Sequence, residues 1–184
     1  MASNQLQEGV PGPAAGFGAS LSLAYIGRIA RETGIREVVY GLRLARERGV
    51  LPRLVIAGSG EDEAYLRSVV ERLDLTENVD FPGPVFAEAR LRLLRCVDLS
   101  VLPRCGTGLL QTLHYSLLAG VPVIAARAGS VSDAIVDKVH GLLLPSSEPE
   151  EYSDAICRLA FDRGLLARMR DACRDRRGVR FAAA

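Results

Sequence analysis

VDLSVLPRCGTGLLQTLHYSLLAGVPVIAA, residues 97–126, decides the fold. Val97, Leu99, Val101 and Leu102 form a short aliphatic run closed by Pro103, a residue that cannot donate to a strand ladder and so ends one. Cys105-Gly106-Thr107-Gly108 makes a turn. Leu109, Leu110, Leu113, Leu117 and Leu118 then recur at helical spacing, and Gly120 caps the helix before Val121-Pro122-Val123-Ile124 begins another strand. Strand, glycine-rich loop, apolar helix and strand in thirty residues spell an α/β crevice. A ligand at the carboxyl end of the first strand would meet the backbone N–H groups of Gly108, Leu109 and Leu110, and the positive end of a helix suits a phosphate or carboxylate.

Working outward, the same alternation extends in both directions. Strands are predicted at 21–26, 53–57, 79–81, 98–102, 122–125 and 141–144, with helices at 36–49, 61–73, 87–96, 112–119 and 131–136 between them. Glu148 opens a helical C-terminal third, with Pro149 and three glutamates at its start and Tyr152, Ala155, Ile156, Leu159 and Ala160 on one apolar face. Short connections and near-continuous aliphatic strands predict a Rossmann-like, doubly wound parallel sheet of about six strands with helices on both faces. Ligands of such sheets bind outside the carboxyl ends of the strands. Residues 1–20, rich in Gly, Ala, Pro and Ser, read as a linker or tail, and 21–184 as one domain.

Bulk composition narrows the function classes. Lys plus Arg total 23 against 22 Asp plus Glu, so no electrostatic footprint for nucleic acid or an anionic membrane exists. The arginines clustered at Arg168, Arg170, Arg174, Arg176, Arg177 and Arg180 alternate with Asp171 and Asp175, which reads as a solvated helix face. Cys96, Cys105, Cys157 and Cys173 form no CxxC pair and have no histidines at zinc spacing, which predicts a reduced, cytoplasmic protein. Met1 to Ser20 lacks the pattern of a signal peptide, and no segment reaches the roughly 18 apolar residues of a transmembrane helix.

Three further places converge on the carboxyl edge. Tyr25-Ile26-Gly27-Arg28 ends a strand at a glycine and sets a guanidinium at the crevice, where it either binds phosphate or caps the loop. Ile56-Ala57-Gly58-Ser59-Gly60 is a strand with a GxG turn whose backbone can approach a nucleotide, although a third glycine is missing. Phe81-Pro82-Gly83-Pro84-Val85 is a stiff turn that either offers backbone groups to a base edge or only reverses the chain. Chemistry-bearing side chains are sparse: His114 and His140 both read as structural, no nucleophile elbow, zinc motif or P-loop occurs, and Ser130 and Ser132 read as helix caps.

Taken in order, YIGR, VIAGSGED, YLRSVVERLDLTENVDFPGPV, DLSVLPRCGTGLLQTLHYSLLAGVPVIA and GSVSDAIVDKVHGLLLP resemble the C-terminal half of family 4-like retaining GT-B glycosyltransferases, over roughly 23–181. The resemblance implies a domain that holds a nucleotide-sugar donor as substrate, with no metal and no other cofactor. It further implies a separate acceptor-binding domain or subunit as partner, and a role in polysaccharide or glycoconjugate biosynthesis. The donor contacts it implies are Arg28 at the diphosphate and Gly58, Gly60, Val85, Gly108, Leu109 and Leu110 around the nucleotide. Three positions depart from the family pattern. Thr33 stands where the family has its diphosphate lysine, Thr107 where it has the glutamate that contacts the sugar, and Tyr115 where a second glutamate holds the ribose. Losing those contacts weakens donor binding by about two to four orders of magnitude, at about 1.5 to 3 kcal/mol for a charge-assisted bond. Two further readings follow: a non-catalytic pseudo-glycosyltransferase that regulates an active partner, and a sugar-phosphate enzyme of related architecture.

Overall fold

The computed structural model describes residues 19–104, 108–127 and 129–175. Six strands, β1 (Ala19–Ile26), β2 (Val50–Ala57), β3 (Val79–Asp80), β4 (Leu99–Leu102), β5 (Val123–Ala126) and β6 (Gly141–Leu144), make one parallel sheet in the order β3-β2-β1-β4-β5-β6. Between and after them run α1 (Ile35–Glu47), α2 (Glu63–Arg72), α3 (Ala87–Arg95), α4 (Leu109–Leu118), α5 (Gly129–Ala134), α6 (Pro149–Phe161) and α7 (Arg163–Asp175).

The strands read as aliphatic runs because both faces of the sheet are covered. Leu21, Leu23 and Tyr25 of β1 point into one layer, where they meet α1, α2, α6 and α7 through Val38, Leu42, Leu66, Val69, Tyr152, Ile156 and Met169. Ala24 and Ile26 point the other way, onto Leu93 and Leu94 of α3 and the Tyr115 and Ala119 side of α4. A third cluster joins α4 and α5 to β5 through Leu113, Leu117, Val123, Ala125 and Val131. Side-chain alternation along β1 therefore distributes the core between two helical layers.

Boundaries moved where tertiary contacts extend an element. β1 begins at Ala19, two residues before the predicted start, because Ser20 pairs in register with Leu51 and its carbonyl accepts from Arg163 Nη2. α5 begins at Gly129 rather than Val131, so Ser132 lies inside the helix rather than ahead of it. α6 opens as predicted, with Glu148 as extended N-cap and Pro149 at its first turn. The solvated arginine face of α7 needs correction at one position. Arg170 donates to the Val97 carbonyl at 3.0 Å and to Asp98 Oδ1 at 2.9 Å, while Asp98 Oδ2 accepts from the Ser22 N–H and hydroxyl at 2.9 and 2.8 Å. This network ties the last helix to the two central strands. Arg168 and Arg174 are exposed as expected, and Arg176, Arg177 and Arg180 lie outside the described residues, as do positions 1–18.

Burial also predicts alkaline sensitivity. Desolvation pushes the Tyr152 phenol up from its ordinary 10 to about 12, and the Cys173 thiol from 9 to about 12. Both groups keep their protons in the folded chain at pH values where the unfolded chain releases them. Their stabilisation is therefore complete below about pH 9 and drains away as pH climbs towards 12. Two pH units at Tyr152 correspond to about 2 to 3 kcal/mol, so urea midpoints are expected to fall steadily above pH 9, and less steeply in Cys173→Ala. A flat profile to pH 11 would contradict the burial of both groups.

Candidate functional site

Chain direction reverses across the sheet between β1 and β4, which pair at Leu23 with Leu99 and Ala24 with Ser100. At such a switch point the loops leaving the two strands diverge and open a crevice at the carboxyl edge. The candidate site is built from those loops, residues 27–34 and Pro103-Arg104, and from the start of α4.

The loop after β1 is fastened to the loop after β2. Gly27 N–H donates to the Ala57 carbonyl at 3.1 Å, Ile29 N–H to Ser59 at 2.9 Å, and Asp62 N–H to Ile29 at 3.3 Å. This explains the GxG turn differently from the sequence reading. A Cβ on Gly58 would fall inside the Gly27 carbonyl oxygen, and one on Gly60 inside that of Ile29, so both glycines exist for backbone against backbone. Backbone thus fills one side of each glycine, and the packing of the two loops requires both residues independently of any nucleotide. Tyr25 Oη donates to the Arg28 carbonyl at 2.5 Å and fixes the turn, with burial raising its own pKa.

Arg28 stands where predicted, but its guanidinium is engaged. Nε and Nη2 form a bidentate pair with Glu61 at 3.1 and 2.7 Å, and Nη1 lies 3.6 Å from Glu32. Glu61 is held below the usual carboxylate range by its own backbone N–H and by Arg28. Thr33 ends a 3-10 turn (Arg31–Thr33), and its hydroxyl donates to the Ala30 carbonyl at 2.7 Å. The hydroxyl at the lysine position is thus spent on the turn itself.

The other wall is the start of α4. Gly108 is its N-cap, left-handed at φ +99°, with open space where a Cβ would stand, and its carbonyl accepts from Thr112 N–H at 2.9 Å. Leu110 is exposed. Thr112 Oγ1 reaches across to the Ile26 carbonyl at 3.3 Å, pinning α4 to the end of β1 and narrowing the crevice. Thr107 and the side chain of Leu109 lie outside the described residues.

Two predicted contacts have side chains packed against protein, Val85 buried and Tyr115 partly buried. Val85 is 5% exposed and packs with Leu93 and Val97, so its side chain is core, and the base-edge contact expected of this turn rests on its backbone. Tyr115 turns its ring against the α3 layer, edge-on to His114 and 5.1 Å below the Arg90 guanidinium, instead of towards the switch point. The aromatic needs an apolar bed, and α3 provides it. His140 is fully buried, its Nδ1 accepting from Val136 N–H at 3.1 Å, in keeping with a structural histidine, whereas His114 is exposed.

Arg104 and Tyr152 were missed. Arg104 follows Pro103 as Arg28 follows Gly27, so an arginine just past a buried strand was the available signal. Tyr152 Oη and Ser147 Oγ both donate to the Pro103 carbonyl, at 3.0 and 3.1 Å, and hold the end of β4 from the α6 side. No local pattern announces that pairing across 49 positions.

Residues 20–162 match the family described as glycosyl transferases group 1. A D-inositol 3-phosphate glycosyltransferase of Saccharomonospora viridis is 29% identical over 149 residues, covering 75% of this chain and 34% of the relative. The chain spans about a third of the length of the curated relatives it matches. Among solved structures, the C-terminal domain of a group 1 glycosyl transferase, LpcC, from Francisella tularensis superimposes with a TM-score of 0.72 at 21% identity, covering 84% of this chain and 83% of that one. Anabaena HepE, solved in complex with UDP and glucose, gives a TM-score of 0.73 at 20% identity, with 85% of this chain and 43% of that one covered. These likenesses establish the fold as that of GT-B C-terminal domains.

Proposed function

We propose, from the premise that this chain belongs to the glycosyl transferases group 1 family, that it is the donor-binding half of a family 4-like, retaining glycosyltransferase. In this reading it holds a nucleoside diphosphate sugar at the β1–β4 crevice, and a hexose passes to an acceptor carried by a second domain or subunit. The observation that carries the proposal is the crevice itself: two loops and the uncapped N-terminus of α4 meet at the switch point of a sheet that lies within the family match. The UDP complex of HepE names the ligand class to try first.

Charge on the diphosphate is met by guanidinium groups and helix N–H donors, so the reading needs no metal. Transfer requires donor and acceptor held together with water excluded, which a single crevice wall cannot do alone. Phe86, 73% exposed just before α3, and Leu110, exposed in the first turn of α4, lie where such a second half would close over the carboxyl edge. Among the described residues no helix is long and apolar enough to cross a membrane, and a cytoplasmic setting, with glycoconjugate synthesis as the context, completes the proposal.

Titration calorimetry of the 184-residue chain with UDP and with GDP tests it. Saturable heat at millimolar ligand or below is expected for one of the two. Silence with both would remove the donor reading and leave the pseudo-glycosyltransferase one, which the packing of a partly buried Tyr115 ring beneath Arg90, at the family's ribose position, specifically favours.

A further inference from the structure

We infer that Arg104, and not Arg28, is the side chain that meets the phosphate groups of the ligand at the switch point. The inference rests on the donor reading for the identity of the ligand, and on the geometry of the two loops for the identity of the residue.

The arginines of the loops after β1, β4 and β5 differ in how fully they are satisfied. Arg28 is bidentate to Glu61 at 2.7 and 3.1 Å and has Glu32 beside it; Arg31 lies 3.5 Å from Asp62, and Arg127 reaches Asp137 at 3.3 Å. Arg104 lies 3.9 Å from Glu37 Oε1, beyond hydrogen-bond distance, and that same oxygen already accepts from Arg36 at 3.0 Å. For Arg28 to bind an anion it must surrender a bidentate pair. Arg104 surrenders no hydrogen bond, only its charge contact with the largely buried Glu37 carboxylate, which keeps Arg36 at 3.0 Å, and its side chain is 44% exposed.

The chain also makes room for this arginine. Its stem lies over Gly34, with Cγ, Cδ and Nε at 2.9, 3.2 and 3.3 Å from where a Cβ would stand. Gly34 is left-handed at φ +77° and is the N-cap of α1, where no side chain caps the helix. The guanidinium is therefore carried from the end of β4 to the loop after β1, so one cation spans the two strand ends that define the crevice. A planar fork with several donors suits a diphosphate, which offers oxygens on adjacent phosphorus atoms. Thr33, beside Gly34, carries no charge and has its hydroxyl closed onto Ala30, and Arg28 and Arg31 are paired with carboxylates, so the cation here that makes no hydrogen-bonded ion pair comes from the other strand.

Arg104→Gln keeps the stem against Gly34 and removes the charge; Arg104→Ala removes both, and Arg104→Lys restores the charge without the fork. Calorimetric titration with inorganic pyrophosphate and with UDP, alongside thermal melts that establish folding, is the test. We expect Arg104→Gln to weaken both ligands about ten- to hundredfold, Arg104→Lys to recover part of that loss, and the loss to exceed that of Arg28→Ala. Unchanged affinity in folded Arg104→Gln overturns the inference while leaving the donor reading intact. Arg104-dependent binding of pyrophosphate with no binding of UDP or of GDP supports the inference and removes the donor reading. Wild-type protein that binds neither pyrophosphate nor either nucleotide, UDP or GDP, overturns both.

Discussion

Gly58→Ala is expected to lower stability by about 3 kcal/mol or more, which in a chain of this size moves the thermal midpoint down by about 6 to 12 °C. The cause is contact rather than dihedral strain, because Gly58 is not among the glycines with positive φ. A Cβ there would overlap the carbonyl oxygen of Gly27, and that carbonyl belongs to backbone held by the Gly27–Ala57 hydrogen bond at 3.1 Å and the Ile29–Ser59 bond at 2.9 Å. Backbone on both sides means that neither partner can rotate away. Gly49 and Gly83 serve as controls: each has positive φ and nothing within 4 Å of a would-be Cβ, so alanine there costs only about 1 to 2 kcal/mol of left-handed strain. A Gly58→Ala melt within 2 °C of wild type would show that the two loops are not locked together.

Tyr152→Ala is expected to cost about 3 to 5 kcal/mol, the range for deleting a fully enclosed aromatic ring. Tyr152 is 0% exposed and belongs to the core cluster that joins α1, α6 and the sheet, and Gly41 of α1 could not carry a Cβ without meeting Tyr152 Cβ. Tyr152→Phe separates ring from hydroxyl. It is expected to cost about 1 kcal/mol, because Ser147 still donates to Pro103 when the phenol is gone. Urea unfolding of the two variants measures both numbers. Equal losses would place the whole effect in the hydroxyl and refute the packing argument.

The sheet was legible in the sequence because its signals are local. A parallel strand buried on both faces is an unbroken aliphatic run, and LSVL, VIAA and GLLL can hardly be anything else. Helix starts at Pro149 and ends at Gly120 were legible for the same reason. The candidate site was legible only in outline. Position after a strand predicted that Arg28 would reach the carboxyl edge, but Glu61, 33 residues away, decides what its guanidinium does there. Gly58 and Gly60 were read as a turn whose backbone can approach a nucleotide, and the carbonyls of Gly27 and Ile29 that press on them were not legible, since a glycine pressed against a ligand and one pressed against backbone look identical in a sequence. Tyr115 was placed by alignment with a glutamate, yet an aromatic ring follows apolar surface, and α3 offered it. Arg90 then covers the ring from above.

The strand order has a consequence for how the chain is made. β1, synthesised first, lies between β2 and β4, and its β4 partners follow some 76 residues later, as Leu23 with Leu99. Its Ser20 carbonyl is closed by Arg163, 143 residues downstream. During vectorial synthesis, β1 and β2 can zip with α1 between them as soon as both have left the ribosome, while one flank of β1 stays open until the second half emerges. Closing such distant pairings is slow compared with local helix formation. The nascent half-sheet thus carries an apolar strand edge from the completion of β2 until β4 emerges, which makes that interval the stage at which aggregation or chaperone capture would act.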